Sequence, residues 1–167
     1  MTDKSAFTPE EWDALMEGPM SAAMVIAVAS PSLFGAMKEA MSAAKNIAKA
    51  TEAPQDELMT ALMAEFKNRE TAKEAQPELE SRKDPVQAKA ALMAKVQNAA
   101  AVANQKATAE EAKSYRNWLY QIAVDAANAS KEGGFLGIGA VRVSDAEKAA
   151  LHELATTLGV EPSEPAG

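Results

Sequence analysis

Apolar side chains recur at steps of three and four residues in four separate stretches of this chain. Leu58, Leu62 and Phe66, flanked by Met59 and Met63, form one stripe, and Leu92, Val96, Ala99 and Ala103 form a second. Tyr115, Trp118, Leu119, Ile122 and Ala126 form the strongest, followed by Leu151, Leu154 and Leu158. Such steps stack side chains on one face of an α-helix, because the helix turns once in about 3.6 residues. No stretch shows the strict apolar–polar alternation, rich in β-branched residues, of a half-buried strand. An all-α fold is the expectation.

The starts of these helices are marked by capping chemistry. Phe7-Thr8-Pro9-Glu10-Glu11-Trp12 offers Thr8 as N-cap and proline at the first helical position. It also places Glu11 at the capping-box position and Phe7 where it staples Trp12. Thr108 with Glu111 and Ser144 with Glu147 are two further capping boxes, and Asp84-Pro85 is a simpler version of the device. Ser30-Pro31 supplies another cap, Pro54 and Pro77 fall between periodic stretches, and Pro162 and Pro165 lie in the terminal segment. Proline inside a helix removes a hydrogen bond and crowds the preceding turn, so Gly18-Pro19 is read as a break.

The plan that follows is a multi-helix bundle of about seven helices, near 9–17, 20–29, 31–51, 55–75, 85–106, 109–130 and 145–158, with a Gly-rich corner before the last. Residues 1–160 are expected to form a single helical domain and 161–167 a disordered tail. Apolar residues nearly vanish between Lys67 and Lys83, so an exposed hinge is expected near 67–84, with Glu65 and Arg69 at ion-pair spacing.

Composition sharpens this picture. The chain has 167 residues and is 47% apolar but only 5% aromatic, alanine being the largest apolar contributor. Alanine is the best helix former and lets helices approach closely. A formal charge of −7 argues against a general nucleic-acid binder, which needs a basic face. With no cysteine, disulfides and thiolate metal sites are excluded. The acidic amino-terminal stretch lacks the cationic start and apolar run of a signal peptide, so a cytoplasmic location is expected. The uncharged run 19–37 has the length to span a bilayer, but its alanines, serines, Gly35 and Pro31 make it a weak membrane candidate.

Four of the eight glycines, Gly133, Gly134, Gly137 and Gly139, crowd one short segment interleaved with Phe135, Leu136 and Ile138. Dinucleotide and P-loop fingerprints both fail there: Arg142 stands where a third glycine belongs, and Ala140-Val141 follow where Lys-Ser or Lys-Thr belong. What survives is a ligand or anion site at loop 131–144. Lys131, Arg142 and the helix start at Ser144 would hold the anion, with Trp118 and His152 nearby. The competing reading makes the glycines a helix end and a tight corner, with Trp118 in the core. His152 is the single histidine; without a partner it makes neither a metal site nor a catalytic triad, and no cofactor is expected.

The segment A-S-K-E-G-G-F-L-G-I-G-A-V-R-V-S-D-A-E-K-A-A-L resembles one found in small bacterial all-helical proteins without an assigned activity. E-W-D-A-L-M-E-G-P-M, followed by A-S-P-S-L-F-G-A-M-K-E, is similar to the amino-terminal half of the same group. More distantly, a loop followed by Val-Ser-x-x-Glu resembles TerB-like helical domains, although their acidic Asp-Gly turn, and with it any metal site, is absent here. The resemblance implies a bacterial helical protein and supplies no catalytic residue. The leading expectation is therefore a non-enzymatic interaction, assembly or regulatory module that meets a protein partner or itself. The alternative is a small-ligand or anion binder, or an enzyme, with its pocket at loop 131–144.

Overall fold

The computed structural model describes residues 2–29, 56–68, 70, 74, 75, 77, 84–132 and 143–163, with side chains through Asn128 in the penultimate helix. Five α-helices make up this part: α1 (Pro9–Ala29), α2 (Glu57–Phe66), α3 (Pro85–Lys106), α4 (Ala109–Glu132) and α5 (Asp145–Leu158). A short 3-10 turn, Lys4–Ala6, precedes them. No strand occurs among the described residues. The fold is a packed helical bundle, with α1 lying along α3 and also against α4 and α5, while α2 packs on α4. The helix expected at 31–51 and most of the hinge expected at 67–84 lie outside the described residues.

Local chemistry sets most of the helix ends. The Thr8 N–H donates to Glu11 Oε2 at 2.9 Å while the Glu11 N–H donates to Thr8 Oγ1 at 3.2 Å, closing the first capping box. The Phe7 and Trp12 rings lie 5.6 Å apart, as the staple requires. Asp56 caps α2 through a 2.9 Å bond from the Met59 N–H, and Asp84 caps α3 through the Val86 and Gln87 N–H groups. α5 begins on Ser144 and ends at Gly159, whose φ of 61° is left-handed. There the Val160 N–H reaches Ala155 O and the Gly159 N–H reaches Thr156 O, which leaves Leu158 O to accept from Arg116 Nη1 at 3.1 Å.

Two boundaries differ from expectation: the helix expected near 55–75 ends at Phe66, with Lys67 and Asn68 in a turn, and the break expected within 9–29 is absent. α1 does not break at Gly18-Pro19 but runs unbroken from Pro9 to Ala29. Pro19 has no N–H, so the Leu15 carbonyl, four residues earlier, loses its intrahelical donor. The Tyr115 hydroxyl of α4 takes that place, donating to Leu15 O at 2.7 Å. Gly18 makes the approach feasible: a Cβ there would sit 2.3 Å from Tyr115 Oη and 3.0 Å from Ala99 Cβ. The missing Cβ also relieves the clash that proline inflicts on the residue before it. Three residues after Gly18, the buried Ser21 hydroxyl donates back to Glu17 O at 2.8 Å, leaving no unmet polar group on that side chain.

Around this contact α1 is apolar on nearly every side, burying Leu15, Met16, Ala22, Ala23, Val25 and Ile26. A helix apolar all round belongs in a protein core or in a membrane. Here it forms the middle of the bundle, and no helix among the described residues is long and apolar enough to cross a membrane. The remaining stripes close on it: Leu58, Leu62, Leu92, Val96, Ala99, Ala103, Leu119, Leu151, Leu154 and Leu158 are all buried.

Tyr115→Phe is expected to lower the unfolding free energy by about 1–3 kcal/mol, because a buried carbonyl loses its donor. Gly18→Ala is expected to cost about 1–3 kcal/mol by overpacking, in spite of alanine's better helix propensity. Urea denaturation of the single and double variants checks the pairing. The Gly18→Ala penalty should shrink once the Tyr115 hydroxyl is gone, and equal penalties in both backgrounds would refute the arrangement.

Candidate functional site

The glycine-dense segment sits between α4 and α5. α4 extends to Glu132, so the backbone of Lys131 belongs to its last turn. Gly133, Gly134, Gly137, Gly139 and Arg142 lie outside the described residues, as does the side chain of Lys131. On the far side of that segment the start of α5 is already served by a carboxylate of its own. Ser144 donates to Glu147 Oε2 from its N–H at 2.7 Å and from its hydroxyl at 2.9 Å, and accepts from the Glu147 N–H at 3.2 Å. Glu147 is buried, so a negative charge is built into the very terminus considered for an anion.

The two remaining candidates stand in different settings. Trp118 is buried on α4, its ring edge-on to Phe66 at 6.3 Å and tilted against Tyr115 at 6.1 Å. His152 is exposed on α5. Tyr120, on the same helix as Trp118, is also buried. Its hydroxyl donates to Ser163 O at 3.1 Å and accepts from Ser163 N–H at 3.2 Å, which ties residues 161–163 to α4. Residues 164–167 lie outside the described part.

A hollow of about 560 Å³ opens where the starts of α2 and α4 lie side by side, lined by Asp56, Glu57, Thr108, Glu110, Glu111 and Ser114. Glu111 is its most committed group. It closes the α4 capping box with Thr108, accepting from the Thr108 N–H at 3.0 Å and hydroxyl at 2.8 Å. Its two oxygens also accept from Thr2, at 2.5 Å from the hydroxyl and 3.2 Å from the N–H. Burial pushes this carboxyl up, but the Thr2 hydroxyl and both Thr108 donors outweigh it and hold it down at about 2. Spacing showed the Thr108 half of this arrangement; nothing near Thr2 in the chain signalled the other half.

This hollow presents oxygen acceptors and no described cation. No group of three or more His, Asp or Glu side chains among the described residues is placed to hold a metal ion. Among the described residues, three buried side-chain polar atoms have no hydrogen-bond partner: Trp12 Nε1, Asp56 Oδ2 and Asn128 Oδ1. Asp56 Oδ2 is the one that belongs to a residue lining the hollow, and its sister oxygen caps α2.

The lysines have a different distribution. Lys4 bonds Glu65 at 2.8 Å, and its ammonium lies 5.6 Å from the centre of the Trp12 ring; Arg69, expected to pair with Glu65, lies outside the described residues. All three lysines of α3 reach to neighbouring elements: Lys89 to Glu153, Lys95 to Glu17 at 2.7 Å, and Lys106 to Glu11 at 3.3 Å. Between Val86 and Gln105 the exposed positions of α3 are therefore all uncharged: Val86, Gln87, Ala90, Ala91, Ala94, Gln97, Asn98, Asn104 and Gln105. Comparison with known proteins returned no matching family model, no matching curated protein and no matching solved structure.

A carboxyl held below its ordinary value stabilises the fold above that value and loses its effect as protons bind. For Glu111 the contribution is complete above the usual 4.5 and drains away as pH falls towards about 2. Glu111→Gln is expected to melt below the parent at neutral pH, with the gap narrowing on acidification. Thermal melts across that range test the assignment, which fails if the gap stays constant with pH.

Proposed function

We propose that this chain is a non-enzymatic helical module that acts by contact, presenting the outer face of α3 to a partner helix. The observation that carries this reading is that every exposed position from Val86 to Gln105 is uncharged, Lys89 and Lys95 being half-buried in ion pairs, in a chain that is 25% charged. An exposed helix face of a soluble protein ordinarily carries charge on most turns. Here the lysines of α3 lean away into ion pairs with Glu153, Glu17 and Glu11. The face left behind is built of alanine, glutamine and asparagine, with Val86 77% exposed at its start. Small side chains admit another backbone closely, and amides bond across the contact without bringing charge into it.

A second copy of the chain fits this face best. Gln87, Ala91, Ala94, Asn98, Ala101 and Gln105 step alternately by four and three residues, the spacing of a helix–helix seam. Laid antiparallel about the level of Val96, Gln87 meets Gln105, Ala91 meets Ala101 and Ala94 meets Asn98. A two-fold contact of this kind must be self-complementary. Each copy carries a net charge of −7, so an uncharged face is also where two copies approach at least electrostatic cost.

Sedimentation over a concentration series is expected to show reversible self-association that strengthens with salt, as screening weakens the repulsion between acidic copies. Ala94→Glu should abolish it while changing stability by less than about 0.5 kcal/mol, as befits an exposed site. A parent chain that stays monomeric at its solubility limit, or an Ala94→Glu variant that associates equally well, would overturn the proposal.

A further inference from the structure

We draw no further inference here: the strongest candidate, the hollow between the starts of α2 and α4, is a cluster of carboxylates in which Asp56 and Glu111 cap those two helices, and nothing in the structure shows what ligand would occupy it.

Discussion

A proline in the middle of the central helix makes the bundle depend on one long-range hydrogen bond, from the Tyr115 hydroxyl to the Leu15 carbonyl. Without a donor, that carbonyl would be a buried polar group with no partner, a defect that costs more than an ordinary hydrogen bond contributes. Tyr115 is itself fully buried, and burial pushes its phenol up, which keeps the hydroxyl protonated and able to donate. Gly18 serves both sides of the arrangement: it eases the turn before Pro19 and leaves room for the phenol. Because α1 stays in one piece, α3, α4 and α5 share a single packing partner along its length.

Charge is distributed by the same economy. Carboxylates gather at helix starts, where they meet the free N–H groups and the positive end of the helix dipole: Glu11, Asp56, Asp84, Glu111 and Glu147 are all found there. Lysines lie along helix flanks and bridge to the next element. Exposed pairs of this type add little stability each. Their larger consequence is spatial, since they draw charge away from the outer side of α3. The proposed contact function rests on that emptied face rather than on any reactive group.

Much of this was legible because helix ends are local. The spans 85–106 and 145–158 agree with the observed α3 and α5, since Asp84 and Ser144 act on N–H groups two or three residues away. The stripe Leu92–Val96–Ala99–Ala103 is buried as its spacing implied, and Trp118 is in the core. The candidate site was less legible. Its glycines and Arg142 lie outside the described residues, while the hollow at α2 and α4 joins segments about fifty residues apart in the chain.

What the order of residues established alone was the class of the fold, the register of its apolar stripes and the capped ends of its helices. Each of those follows from forces acting within one or two helical turns. Tertiary structure decided the rest: that α1 continues through Pro19, that Thr2 is clasped by Glu111, that Tyr120 is buried and holds Ser163, and that α3 keeps an uncharged side. In each of these a polar or charged group finds its partner far along the chain, and in the first three it also loses water. Whether such a partner exists is a property of the packed core, and no local pattern of residues encodes it.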